Sequence, residues 1–203
     1  MDNPHSVFAF PDEAHVLLHG PVGYENYESF KAWLRDEFSF RCVYCLTRER
    51  WYPNGQDAFS VDHYLPKATY PSLETQYDNL RHCCLRCNSF KRLSTEVLDP
   101  CQTALGLHLR INASGEMEAL TPAGRAHIKA LALNAPLFVQ FRHQIIEMLR
   151  EMKEESNLLR WLGHPRDLED LSRLRPPRGN TRPEGVTRSA FARRARNELS
   201  ETY

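Results

Sequence analysis

The sequence predicts an α+β protein in which a small zinc-stabilised core is embedded in a mostly α-helical chain. Two Cys-x-x-Cys pairs flank residues 46–83 and together supply four thiolates, the number that a closed tetrahedral zinc site requires. Two short β-prone runs, 58–61 and 77–82, lie between and beside these pairs. Stretches before and after them place apolar residues at helical spacing. Short strands within a zinc core and helices around it follow from these patterns.

The predicted elements of the core follow one another closely. Residues 24–38 are typical of one amphipathic helix leading into the first cysteine pair. The run 58–61 reads as a strand that stops at Asp62 and His63, and Pro66 and Pro71 then enforce a loop. A second strand at 77–82 is followed by a helix that begins near Cys84 and continues through residue 91.

The C-terminal half is predicted to be mainly helical. Alternating apolar residues around Ser114-Gly115 predict a hairpin, and Thr121 with Pro122 is a favourable helix start for a helix ending near residue 134. An apolar stripe over 137–161 predicts one long helix that Gly163 ends, and a short helix is expected at 167–174. We therefore divide the chain into an N-terminal helical extension (1–40), the core (41–98), a hairpin with helices (99–175), and a linker with a basic tail (176–203).

Composition points to a protein of a reducing compartment. The N-terminus lacks the basic and apolar regions of a signal peptide, and no window has the roughly 18 apolar residues of a membrane span, so we expect a cytoplasmic protein without membrane contact. In such a compartment, paired Cys-x-x-Cys motifs favour zinc over disulfides. The expected zinc ligands are Cys42, Cys45, Cys84 and Cys87. Cys83 and Cys101 are expected to remain free thiols.

A set of polar residues around the cysteine pairs resembles the HNH endonucleases, which have a ββα-metal core. The resemblance rests on Cys42-x-x-Cys45, Asp62-His63-x-x-Pro66-Lys67, Asn79-Leu80 and Cys84-x-x-Cys87-Asn88-x-x-Lys91. It implies a treble-clef-like zinc core, a general base at His63, a bracing residue at Asn79, and a divalent-metal ligand at Asn88. Asn88 stands where many members have histidine. Hydrolysis of DNA to a 5'-phosphate and a 3'-hydroxyl is also implied.

The residue chemistry agrees with this expectation. An imidazole titrates near pH 6.5, so His63 is suited to take a proton from water. Asp62 and Asn88 offer hard oxygen ligands for a catalytic Mg²⁺ or Mn²⁺ that is separate from the zinc. Alternation along a strand would point Asp62 and His63 to opposite sides unless the strand ends there.

Basic residues near the site are candidates for phosphate contact. Lys91 follows Asn88 by one helical turn, so it can lie on the same helix face, and Arg92 and Lys67 add positive charge. Each of these could equally be an ordinary solvated side chain.

Two other readings of the core stay open. It could be a zinc-stabilised module that binds nucleic acid or protein without catalysis, and the intact Asp62, His63 and Asn88 argue against this reading. It could also be a ribonuclease, because phosphodiester chemistry is alike in both polymers.

The whole chain more loosely resembles the HNH components of bacterial antiphage defence systems of the Septu type, which act with an ATPase partner. The residues that carry this second resemblance include the hairpin, Leu131-x-Leu133-Asn134 and Arg142. It implies an ATPase partner protein beside the DNA substrate.

The charge of the chain is uneven. The total is zero, with 26 basic and 26 acidic residues, so contact with phosphate must come from local patches. Residues 173–203 carry eight arginines against three glutamates. This end could be a phosphate-binding arm or a segment that docks on a partner protein, and we expect docking because Phe191 and Leu199 would share one helix face.

Overall fold

A turn at residues 42–46, a two-stranded sheet and a short helix form the centre of the computed structural model, which describes residues 6–152, 155–174, 176 and 183–203. Strands β1 (Phe59–His63) and β2 (Leu80–Cys84) pair antiparallel, with Phe59 opposite Cys84 and His63 opposite Leu80. Helix α2 (Leu85–Lys91) follows β2 without a linker. The strand ending at His63 and the helix beginning beside Cys84 confirm the predicted order of elements.

The N-terminal region packs on this centre through helix α1 (Lys31–Glu37). Phe30 just before the helix and Trp33, Leu34 and Glu37 within it are buried, and they recur at the spacing of one helix face. The helix is shorter than the predicted 24–38, because a 3₁₀ turn (Tyr27–Phe30) precedes it. Two further differences are of the same kind: residues Tyr77–Asn79 form a 3₁₀ turn before β2, and Leu171–Arg173 form a 3₁₀ turn where a helix over 167–174 was expected.

The hairpin predicted around Ser114-Gly115 is confirmed, with strand β3 (Leu109–Ile111) antiparallel to β4 (Met117–Ala119). Helix α3 (Pro122–Ala130) begins as expected, because the Thr121 hydroxyl accepts the Gly124 amide proton, and it ends four residues before the predicted 134. The hairpin is tied to a later helix, Pro136–Glu151, by Arg142, whose buried guanidinium donates to the carbonyl oxygens of Gly115 and Leu133.

The single helix predicted for 137–161 is two helices, α4 (Pro136–Glu151) and α5 (Glu155–Leu162). Met152 has extended backbone angles, which end α4. The break lets α5 return to the segment after the turn at residues 42–46, where Trp51 Nε1 donates to the carbonyl oxygen of Trp161 and Arg48 donates to that of Leu162. No proline or glycine marks this break in the sequence.

The described part of the C-terminal region, 183–203, is folded onto the rest of the protein, which differs from the expected tail. Helices α6 (Pro183–Arg188) and α7 (Ala190–Ala195) are joined by Ser189, and the Ala190 amide donates to Asp36 on α1 at 2.7 Å. Tyr203 stacks on His164, and its hydroxyl donates to the Phe40 carbonyl oxygen. Most of the predicted linker, with Arg175, Arg178 and Arg182, lies outside the described residues.

One hydrophobic core joins these segments. Buried side chains from 7 to 171 form a continuous cluster that crosses the expected boundaries at 40/41 and 98/99. The four predicted regions therefore follow one another along the chain, but the first three contribute side chains to one common core. None of the described helices has both the length and the apolar surface needed to cross a bilayer.

Candidate HNH active site and zinc centre

The four predicted zinc ligands converge. The Sγ atoms of the two Cys-x-x-Cys pairs all lie within 4.8 Å of one another, and those of Cys45 and Cys84 are 3.9 Å apart. Tetrahedral zinc with Zn–S bonds of roughly 2.3 Å would place sulfur atoms about 3.8 Å apart. All four cysteines are fully buried. The donor set and its spacing therefore fit one closed structural zinc ion.

Local structure explains this convergence. The first pair lies in a tight turn in which the Leu46 amide donates to the Cys42 carbonyl oxygen and the Val43 amide donates to His82 on β2. The second pair lies at the junction of β2 and α2, where Cys84 caps the helix and its sulfur accepts the Cys87 amide proton. Cys83 and Cys101 are outside the quartet found among the described residues, as expected.

His63 lies at the end of β1 and is half-buried. Its Nε2 is 2.9 Å from the carbonyl oxygen of Glu74. A carbonyl only accepts, so Nε2 carries the proton and Nδ1 of the neutral ring is the basic atom. The described residues offer Nδ1 no hydrogen bond. Burial lowers the pKa of His63, the charge of Lys67 acts in the same direction, and the bond to the Glu74 carbonyl opposes both.

The loop after His63 is fixed at its base by Asn79. The Asn79 side chain accepts the Leu65 amide proton at 2.8 Å and donates to the Leu65 carbonyl oxygen at 3.0 Å and, more weakly, to that of Leu73 at 3.4 Å. Its backbone carbonyl accepts from the Tyr64 amide. Asn79 is buried, so these bonds are shielded from water. This geometry corresponds to the bracing role that was expected of Asn79.

Asp62 points into the protein, on the other side of the strand from His63. It is buried, and its Oδ2 accepts a 2.6 Å hydrogen bond from the Tyr44 hydroxyl. Its Oδ1 faces Lys91 Nζ at 3.3 Å. Burial and the Asp62 charge hold the pKa of Tyr44 well above its ordinary value, so the hydroxyl keeps its proton. The alternation of strand β1 thus separates the two side chains that are adjacent in sequence.

Lys91 differs from its expected place. It is 1% exposed, and its ammonium donates to the carbonyl oxygens of His63 and Tyr64 at 2.8 and 3.0 Å in addition to facing Asp62. Lys91 does lie one turn after Asn88 on α2, as predicted, but the Lys91 side chain points towards β1 and away from solvent. A direct phosphate contact would require these buried bonds to break, so Lys91 is in place to hold the end of β1.

The remaining predicted residues lie near the surface. Asn88 Nδ2 donates to the Ser60 hydroxyl at 2.9 Å, which leaves its Oδ1 available on the same side of β1 as Asp62. Lys67 is about half exposed, pairs with Glu74 at 2.8 Å, and lies over the Tyr27 ring. Arg92 is exposed directly after α2, with a φ of 47° that favours glycine. Asp62 and Asn88 thus offer two oxygen donors of the kind that hard divalent cations prefer, and their assignment to a catalytic metal stays a prediction.

Three groups that contact the predicted site residues were not predicted from the sequence. Tyr44 lies inside the Cys-x-x-Cys turn, where its spacing signals only a structural role. The Glu74 carbonyl is a backbone group, and because every residue has one, the sequence does not show which carbonyl contacts His63. The Tyr27 ring meets the His63 ring edge-on, with ring centres 4.6 Å apart, and it had been read only as an apolar position of a helix.

Comparison with known proteins agrees with this geometry. Residues 42–92 match the family model for HNH endonuclease. This segment is of the HNH type. Over 51 residues the chain is also 43% identical to the Septu protein PtuB of Bacillus thuringiensis. The aligned stretch is 25% of this chain and spans only about a fifth, 19%, of that relative's length. No solved structure matches the chain significantly.

The HNH match begins at the first zinc cysteine and ends one residue after Lys91. It thus contains the four cysteines, both strands, α2 and the loop held by Asn79. The elements outside it, including α1, the β3–β4 hairpin and α4 to α7, pack around this HNH segment without belonging to the matched region.

Proposed function

We propose that the chain is a metal-dependent endonuclease of the HNH type that hydrolyses DNA phosphodiester bonds in the cytoplasm. The observation that carries the proposal is the arrangement of His63. Its Nε2 proton is committed to the Glu74 carbonyl oxygen, so Nδ1 is the atom that can accept a proton. Because Asn79 fixes the adjoining loop, the ring is held in one orientation. A histidine that only filled space would not need this tautomer to be defined.

The proposed reaction uses His63 as the general base. Nδ1 removes a proton from water, the water oxygen attacks phosphorus, and the bond from phosphorus to the 3'-oxygen breaks. The leaving 3'-oxygen takes a proton from a solvent water, which gives a 3'-hydroxyl and a 5'-phosphate, and His63 later returns its own proton to solvent. Asp62 and Asn88 are the residues that would hold a Mg²⁺ or Mn²⁺ ion. When bound, such an ion stabilises the negative charge on the phosphate and the leaving oxygen.

Lys67 and Arg92 are the proposed substrate contacts. Both are exposed, and Lys67 lies close enough to His63 to lower its pKa. Lys67 is paired with Glu74, so an incoming phosphate would compete with that carboxylate. Exposed ion pairs of this kind are screened by water and contribute little, so the exchange is easy.

We further propose that this nuclease is the effector of an antiphage defence complex with an ATPase partner. The support is the similarity of the HNH segment to the Septu protein PtuB. The packed segments outside the match, α4 to α7 among them, offer a surface for such a partner.

Cleavage assays on the purified full chain test the proposal. Supercoiled plasmid, single-stranded DNA and RNA would each be incubated with Mg²⁺, with Mn²⁺ and with chelator, using wild type, His63→Ala and His143→Ala. His143 is an exposed histidine on α4, away from the site, and is the matched control.

We expect metal-dependent cutting of DNA by wild type and His143→Ala, and a loss of at least roughly a hundredfold in His63→Ala, since a positioned base contributes about that much. Equal cutting by His63→Ala would refute the mechanism. Cutting of RNA alone would make the protein a ribonuclease with the same site. No cutting of any polymer by zinc-loaded protein, with retained binding to one of them, would support a binding module.

A further inference from the structure

Tyr44 links the zinc centre to the proposed catalytic metal site. It lies between the zinc ligands Cys42 and Cys45, is fully buried, and donates a hydrogen bond of 2.6 Å to Asp62 Oδ2. An O–H to carboxylate bond this short belongs to the strong, charge-assisted class. The two flanking cysteines fix the Tyr44 backbone, so the hydroxyl is held at one place relative to β1.

The other oxygen of Asp62 is held much less firmly. Oδ1 faces Lys91 Nζ at 3.3 Å, whereas Lys91 makes shorter bonds to the carbonyl oxygens of His63 and Tyr64. Lys91 can therefore keep its two shorter bonds if Oδ1 takes a different partner. Asn88, one turn earlier on α2, presents its free Oδ1 to the same side of β1. Of the two Asp62 oxygens, Oδ1 therefore has the longer and weaker contact, and it is the one that could exchange the Lys91 ammonium for a metal cation.

We propose that Tyr44 is a positioning residue that fixes the Asp62 carboxylate so that Oδ1 binds the divalent metal. The proposal rests on the proposed function only in assigning the metal to Asp62. Groups that hold metal-ligating carboxylates typically change metal affinity by 10- to 100-fold when they are removed. Without the Tyr44 hydroxyl, Oδ2 has no other hydrogen bond from the described residues, and the carboxylate can rotate towards Lys91.

Tyr77 provides a matched control for this role. It is also buried, and its hydroxyl also donates to a buried carboxylate, that of Glu37, at 3.2 Å. Glu37 is far better supported than Asp62, because it also accepts from His15 and from the amides of Leu18 and His19. Tyr77→Phe therefore removes a comparable buried hydroxyl whose hydrogen bond goes to Glu37 and not to Asp62.

The test is a Mn²⁺ titration of zinc-loaded protein, followed by calorimetry and by the electron spin resonance signal of free Mn²⁺, with cleavage measured in parallel. The variants are Tyr44→Phe, Tyr77→Phe and Asp62→Asn, and each is checked for one zinc per chain and for its melting temperature. We expect Tyr44→Phe to keep its zinc and to bind Mn²⁺ at least roughly tenfold more weakly, at the lower end of the range for such groups. Tyr77→Phe should bind Mn²⁺ as wild type does.

The Mn²⁺ titration separates this inference from the proposed function. Unchanged Mn²⁺ affinity in Tyr44→Phe, with affinity lost in Asp62→Asn, would overturn the role of Tyr44 and leave the nuclease intact. Weaker Mn²⁺ binding in Tyr44→Phe by a protein that cuts no nucleic acid would support the inference while the nuclease proposal fails. Equal weakening in Tyr44→Phe and Tyr77→Phe would show a general packing effect and overturn the inference. Absence of Mn²⁺ binding by the wild type would also overturn it.

Discussion

The loop beside His63, the proposed general base, depends on one amide side chain, so Asn79→Ala is the most direct perturbation of the site's framework. The substitution removes two good hydrogen bonds to Leu65, of 2.8 and 3.0 Å, and the weaker one to Leu73. Each good bond contributes about 1 kcal/mol net, and the Leu65 groups that lose their partner are only half-buried, so water can replace part of the loss. We expect the free energy of unfolding to fall by about 1–2 kcal/mol.

Cleavage should fall further than stability suggests. The loop supplies the Glu74 carbonyl that defines the His63 tautomer, so a mobile loop leaves Nδ1 aimed at the water for only part of the time. We expect at least roughly a tenfold loss of cleavage at a temperature where Asn79→Ala is still folded. Urea denaturation gives the stability, and a plasmid assay gives the rate.

Asn112→Ala is the matched control, because Asn112 also makes several side-chain hydrogen bonds, to Ser114, Glu116 and Glu118, in the β3–β4 turn. It should lose stability and keep its cleavage rate. The reasoning is refuted if Asn79→Ala cuts at the wild-type rate, or if both variants lose the same fraction of activity.

Two further predictions concern the zinc ion and acid stability. Cys87→Ser should lose the zinc and several kcal/mol of stability. Cys83 is a buried cysteine outside the quartet, so Cys83→Ser should keep one zinc per chain by elemental analysis. Equal zinc contents in the two variants would contradict the assignment. Burial and nearby arginines lower the pKa of His164 to about 4, so stability should fall as the pH decreases from about 6.5 towards 4. Because His164 is only half-buried, solvent screening reduces this loss to on the order of 2 kcal/mol or less. Urea titrations at each pH should show a less steep fall in His164→Phe.

The sign of the His164 effect follows from its proton. Below pH 6.5 the unfolded chain binds a proton at this histidine, but the folded protein does not until about pH 4, because both ring nitrogens are buried without hydrogen-bond partners among the described residues. A pH profile of His164→Phe that is as steep as that of wild type would remove this histidine from the explanation.

Local patterns predicted the parts of the site that are close in sequence. The two-residue spacing within each cysteine pair fixes a turn and a helix start, so the zinc quartet, the end of β1 at His63 and the start of α2 were all accessible to sequence reasoning. The Thr121-Pro122 helix start was accessible for the same reason, since one hydroxyl and one ring determine it.

Contacts between distant segments were not accessible. Helical spacing predicts that Asn88 and Lys91 share a face, but it does not say that this face packs on β1, and lysine is rarely as buried as Lys91 is here. The bond from Tyr44 to Asp62 joins residues on two different turns of the fold. The return of α5 to Trp51 depends on a helix break at Met152 that no proline or glycine announces.

The two strands of the HNH segment are joined by a long connection that closes on itself. Tyr64, just after β1, and Asn79, just before β2, are bonded directly to each other, so the strands and the zinc ligands beyond them are insensitive to the length of chain between these two residues. Most of residues 66–76 can accordingly vary without disturbing the metal cage, provided that a carbonyl group still reaches His63. Changes of sequence in this connection would therefore alter the surface beside His63 while the two strands and the cysteine quartet keep their places.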